Sequence, residues 1–123
     1  MIRSRIIDSC LYLVPGVTVG YSTLIRDEIH TGVTAIFPRG RDKAQLPAAA
    51  GSFALNGNGE MTGTAWIEEC GALTSPIAIT NTHAIGVVHR AMIDWVNRNI
   101  PQAEWMLRTI NIPCLYTSYF EFL

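Results

Sequence analysis

The sequence predicts an α/β fold, and two patterns carry that expectation. Short runs rich in β-branched and aromatic residues, at 17–24, 31–37 and 77–80, read as strands bounded by Gly, Pro and polar turns. After them, residues 84–99 place Ile85, Val88, Met92, Trp95 and Val96 on a single helical stripe. With 123 residues, 49% hydrophobic and 15% charged, the chain has the size and composition of one globular domain. No linker or composition shift marks a boundary inside it.

Taken in order, the elements have local reasons. The run 17–24 alternates loosely and is expected to be interrupted at Gly20; Asp27 and Glu28 then mark a turn. The strand 31–37 puts Val33, Ala35 and Phe37 on one face, and Pro38 ends it. These two strands are expected to pair antiparallel, with a polar loop at 40–43 beyond them. Residues 48–55 are small and apolar, either a short strand or a helical turn. A short helix is expected from 62 to 67, capped by Thr62 or Thr64 and stopped at Gly71. On the long helix, Arg90, Asp94 and Arg98 are four apart on the outer face and suited to ion pairs; Pro101 stops it. A weaker helix is expected over 102–109. Trp66, Trp95 and Trp105 read as core or interface anchors.

Charge and composition exclude several functions. The net charge is −1, and Asp42 interrupts the one basic cluster of Arg39, Arg41 and Lys43, so no nucleic-acid footprint is present. No apolar run is long enough to span a membrane, and the first residues lack the long apolar core of a secretion signal. Cys10, Cys70 and Cys114 are sparse, odd in number and without C-x-x-C spacing, which fits a reducing, cytoplasmic setting and no metal site. His30, His83 and His89 lack helical metal-ligand spacing; His30 and His89 read as ordinary surface histidines. A mean hydropathy of +0.23 with so little charge implies that part of the surface expects a partner.

Two clusters are candidates for chemistry. In the run 55–63 (LNGNGEMTG), Gly and Asn alternate as in a backbone that turns sharply or approaches a ligand closely. If extended, Asn56, Asn58 and Glu60 share one side and offer amides and a carboxylate suited to a substrate amino group. The alternative is that the asparagines satisfy loop backbone and Glu60 is a solvated cap or ion-pair partner. The second cluster, Asn81, Thr82 and His83, joins a strand to the start of the long helix. There it either caps the helix or lines a site for an anion, and the two roles are compatible. Six serines are present, none in a G-x-S-x-G turn, and no catalytic residue is assigned.

Four blocks in this order, 15–20 (PGVTVG), 31–40 (TGVTAIFPRG), 56–63 (NGNGEMTG) and 76–88 (PIAITNTHAIGVV), resemble the N-terminal part of the L-aminopeptidase/D-esterase family. This family is also called DmpA-like or peptidase family S58 and includes β-aminopeptidases. The resemblance covers residues 14–96 and implies part of a four-layer αββα sandwich, of the type shared with ornithine acetyltransferases. Those acetyltransferases are similar in fold and self-processing, but the 56–63 block fits the aminopeptidases better. The implied activity is hydrolysis of N-terminal residues from peptides, amides or esters by a self-processing serine enzyme, without cofactor.

In the family the nucleophilic serine lies far downstream of the matched region, so this chain is expected to be one incomplete domain, inactive alone. Its expected partners are a peptide or amino-acid amide or ester substrate, a downstream-encoded remainder of the enzyme, and further copies of itself. A non-catalytic binding protein is the alternative. Residues 1–14 and 114–123 match poorly. The loss of resemblance near Pro113 leads to the expectation of a frameshift, a premature stop or a wrongly assigned reading frame there.

Overall fold

The computed structural model describes residues 2–7, 14–55, 57, 59–100 and 114–117, with residues 2–7, 60 and 114–117 described by their backbone. The expected antiparallel pair forms a hairpin of β2 (Thr18–Arg26) and β3 (Ile29–Phe37), in register from Thr18↔Phe37 to Arg26↔Ile29. Asp27 takes φ 52° in the turn, a left-handed value that a short polar side chain tolerates. The expected interruption at Gly20 does not occur. Gly20 stands in register with Ile6 on one side and Ala35 on the other, so two ladders hold it extended.

The hairpin is the nucleus of a six-stranded sheet. β1 (Ile2–Ile7) pairs antiparallel with β2. On the other side β3 pairs antiparallel with β7 (Ile77–Asn81), which runs parallel to β8 (Cys114–Thr117). β5 (Gly59–Met61) closes the order β1-β2-β3-β7-β8-β5, antiparallel to β8. Parallel neighbours need a crossover, and the connection from β7 to β8 contains α2 (Ile85–Asn99). A small second sheet pairs β4 (Ala48–Ala49) with β6 (Ala72–Leu73), on either side of α1 (Thr64–Cys70) in the chain. Of the run 48–55, then, only its first two residues are strand.

The core lies between α2 and one face of the sheet. Ala78 is fully buried, with Met92, Val96, Ile100 and Ala44 around it; Val33, Phe37, Ile85, Val88, Ile93 and Trp95 pack against them. This is the stripe expected of the helix, and Phe37 meets Trp95 edge to face at 5.2 Å and 65°. Burying a Val or Met side chain here stabilises the fold by about 1.5–3 kcal/mol each. On the outer face Arg90 pairs with Asp94 at 3.1 Å. Arg98 departs from expectation: its Nε donates to the Asp94 backbone carbonyl at 3.0 Å.

α1 ends as expected. Gly71, at φ 63°, donates its N–H to the Ile67 carbonyl at 2.8 Å. Its start differs, because neither Thr62 nor Thr64 occupies the capping position. The capping position is Gly63 at φ 81°, a turn that disfavours any residue with a Cβ, and Thr64 already lies inside the helix. The polar loop at 40–43 contains a single 3₁₀ turn, Arg41–Lys43. The weak helix expected over 102–109 and Trp105 lie outside the described residues. No helix among the described residues is long and apolar enough to cross a membrane.

Candidate functional site

Alternation along the strands gives the sheet two chemically different faces. Val33, Ala35 and Phe37 of β3 share the α2 side with Ala78 and Thr80, their neighbours in register being Val33↔Thr80 and Ala35↔Ala78. Gly32, Thr34, Ile36, Ile77 and Ile79 therefore belong to the other face, where Tyr21 stands opposite Thr34 and Thr23 opposite Gly32. A cavity of about 730 Å³ lies where β2, β3 and β7 end, bordered by Tyr21, Ile25 and Ile79 of the second face and by Ile29, Thr31 and Val33 of the first, and it continues around the end of β7 to Asn81, Thr82, His83 and Ala84. That size falls within the range of small-molecule sites.

Three side-chain hydrogen bonds fix the polar end of the cavity. The backbone ladder between β3 and β7 ends at Val33↔Thr80, and side chains continue the connection beyond it. Thr80 Oγ1 donates to the Gly32 carbonyl at 2.9 Å. Asn81 Nδ2 donates to Thr31 Oγ1. Asn81 Oδ1 accepts from the Ala84 N–H at 2.9 Å and so caps the 3₁₀ turn Thr82–Ala84 that leads into α2. Asn81, rather than Thr82, thus supplies the cap, and it does so while bordering the cavity.

The strands meet closely at this end. A Cβ added to Gly32 would lie 2.7 Å from the Ser22 carbonyl oxygen, so the β2–β3 contact there requires glycine.

Of the six candidate residues, the structure places Asn81, Thr82 and His83 together at the cavity. Asn56 and Asn58 lie outside the described residues. Glu60 falls in β5 as a backbone position, so residues 59–61 of the 55–63 run are extended. Registration brings the two clusters level. Glu60 and Thr80 both stand beside Tyr116, and Gly59 and Asn81 both stand beside Thr117. They are thus two strand spacings apart, about 10 Å.

Reasoning from sequence missed Thr31, Tyr21, Thr23, Ile25 and Ile79, which border the cavity. They are ordinary strand residues with no local signature. It also read His89 as a surface residue, whereas its Nε2 is buried without a hydrogen-bond partner among the described residues, as is Trp66 Nε1. No cluster of His, Cys, Asp or Glu suited to a metal ion occurs among the described residues.

Fold and site together define a mixed α/β domain, with a helix packed on one sheet face and a polar-ended groove where β3 and β7 end. The chain belongs to peptidase family S58, whose family model matches residues 10–115. It is 46% identical over 92 residues to the beta-peptidyl aminopeptidase BapA of Sphingosinicella microcystinivorans, a match covering 68% of this chain and 23% of that protein. Among solved structures it is similar to the L-aminopeptidase D-Ala-esterase/amidase of Ochrobactrum anthropi, a serine aminopeptidase described as a variant of the Ntn hydrolase fold. The TM-score there is 0.71 at 38% identity, over 85% of this chain and 31% of that one. A Burkholderia sp. beta-aminopeptidase gives a TM-score of 0.69 at 40% identity, over 85% and 29%. The chain thus spans less than a third of the length of these relatives.

Proposed function

We propose that this chain is the N-terminal portion of a self-processing serine aminopeptidase and amidase-esterase that releases N-terminal residues from peptides, amides or esters. The observation that carries the reading is the family match together with its coverage: 68–85% of this chain aligns with relatives of which it spans only 23–31%. On this reading the nucleophile belongs to a downstream portion, and the chain alone is inactive. Two of the six serines fit that view. Ser52 donates to Glu68 at 3.2 Å and Ser75 to the Pro76 carbonyl at 3.3 Å, so neither is engaged with a histidine base. In the complete site, Glu60 would hold the substrate amino group, with Asn56 and Asn58 shaping that loop and the Asn81–Thr82–His83 junction lining the other wall.

The open sheet face favours a further reading, that this is one half of a split enzyme. Ile25, which the register puts on the face opposite α2, is more than half exposed on the β2–β3 hairpin. A second sheet contributed by a downstream polypeptide would cover that side and complete a four-layer αββα sandwich.

Hydrolysis of aminoacyl-p-nitroanilides by the purified chain, alone and mixed with the product of the DNA immediately downstream, tests both readings. Activity only in the mixture is expected for a split enzyme. Activity of the chain alone would overturn the claim that its nucleophile lies elsewhere.

A further inference from the structure

Between β4 and β5 the chain carries two apolar side chains out into solvent. Phe53 is 90% exposed and Leu55 86%, the two highest values among the large apolar residues described. Their neighbours Gly51, Ser52, Ala54 and Gly57 are small, and the segment 51–55 forms neither helix nor strand. Among the described residues no backbone hydrogen bond joins 51–57 to the rest of the molecule. The segment is fastened on both sides. The Ala50 N–H donates to the Gly71 carbonyl at 2.9 Å, Ser52 Oγ donates to Glu68 at 3.2 Å, and β5 begins at Gly59.

An endopeptidase takes its substrate as an extended strand and hydrogen-bonds the backbone, so it needs a stretch whose backbone is unpaired. The segment 51–55 meets that need. The other Phe, Tyr, Trp and Leu residues of 14–100 do not. Tyr21 and Leu24 lie within β2, Trp66 in α1, Leu73 in β6 and Trp95 in α2. Phe37 and Leu46 each precede a proline, whose ring restricts the backbone on the leaving side of the bond.

We infer that 51–55 is a processing site for an endopeptidase with an apolar primary pocket, which cleaves the Phe53–Ala54 bond. Phe53 fills the pocket, and Ala54 is small on the leaving side. Water adds across the amide. Its oxygen joins the Phe53 carbonyl carbon, the C–N bond breaks, and Ala54 takes a proton and becomes a new amino terminus. Leu55–Asn56 is the second bond open to the same specificity. The product is a pair of chains that stays assembled. One carries β2, β3 and β4; the other carries α1, β6, β7 and α2. They remain joined by the β3–β7 ladder from Val33↔Thr80 to Ile36↔Ile77, by the β4–β6 pair and by Phe37 against Trp95. The site is independent of the aminopeptidase reading, in which self-processing falls downstream of this chain.

The test digests the full folded chain with a trace of α-chymotrypsin, followed by intact mass and peptide mapping. Among bonds within 14–100, Phe53–Ala54 is expected to be cut first. Relative to a small peptide substrate, its rate is expected to stay unchanged in urea below the unfolding transition, because the site is open in the folded state. The double variant Phe53→Ser, Leu55→Ser is expected to slow cleavage within 51–57 by at least about tenfold, since the apolar pocket loses its occupant. It should keep the urea midpoint, because both side chains are exposed. The nicked chain is expected to leave a size-exclusion column as one species holding both pieces, which separate in denaturant. A first cut elsewhere in 14–100, or none there, overturns the inference, as does a rate that climbs with urea in step with global unfolding. Cleavage of the double variant at the original rate overturns it too, and pieces that part in native buffer overturn the assembled product. If the double variant does not fold, the first cut in the unmodified chain and its urea dependence decide.

Discussion

Single residues at the strand ends do work that their types alone do not announce. Gly32 is the clearest. Its missing Cβ lets β2 and β3 approach where a methyl group would lie 2.7 Å from the Ser22 carbonyl oxygen. That neighbour is backbone and cannot swing aside. Gly32→Ala is therefore expected to destabilise the chain by about 2–3 kcal/mol, read as a lower urea midpoint with an unchanged slope. The sequence shows a glycine in a β-branched run and nothing of the close contact, which exists only once Thr23 stands opposite. Thr31 is hidden for a similar reason. Its hydrogen-bond partner Asn81 is fifty positions away, and only the register of β3 on β7 brings them together. Asn81 was legible, because an amide between a strand and a helix stripe has a known use. What could not be read was that its two ends serve two different partners.

At the level of elements, legibility follows periodicity. α2 was visible because five apolar residues repeat with its turn, and those residues are the ones that pack on Val33, Phe37 and Ala78. Val96→Ala should thus cost about 2 kcal/mol, since Val96 is 2% exposed and its two lost methyl groups leave a gap under the helix. Thermal melts followed by circular dichroism would show it, and the same change at exposed Val87 should be close to neutral. The β2–β3 hairpin was visible through its turn and its β-branched strands. β5 was not visible as a strand, because Gly59-Glu60-Met61 has low β propensity, and its extended form comes from pairing with β8. The start of α1 was misjudged for the converse reason. Two threonines offered cap chemistry, but the backbone reverses at Gly63, and that geometry outweighs the side chains.

For the whole molecule, the controlling fact among the described residues is a sheet with a helix packed on one face. Low charge and positive mean hydropathy signalled an unpartnered surface, but not where it lies. The structure places part of it on the hairpin, at Ile25 and Ile29. The isolated chain is expected to self-associate through this end of the hairpin, where Ile25 and Ile29 are exposed on its two faces. The double variant Ile25→Lys, Ile29→Lys should shift it toward monomer in light scattering, because lysine on an exposed strand opposes sheet-to-sheet contact. If the split-enzyme reading holds, the same variant should also reduce activity in the mixture with the downstream product. Family membership was legible from four short blocks in order, and the match over residues 10–115 agrees with it. The assembly of the two polar clusters was legible only in part. Their order along the chain gives no hint that Glu60 and Thr80 flank the same position of β8.

The placement of β7 next to β3 also sets a timetable for synthesis. β2 and β3 are joined by a two-residue turn, so the hairpin can close as soon as both strands have left the ribosome. The open edge of β3 must then wait while the connection up to Ile77 is translated, on the order of seconds at usual elongation rates. During that interval the nascent chain presents a β-branched edge with neither neighbour nor helix over it. A trigger-type chaperone acting on translating ribosomes would meet the protein in this window, with most of its later core residues not yet made.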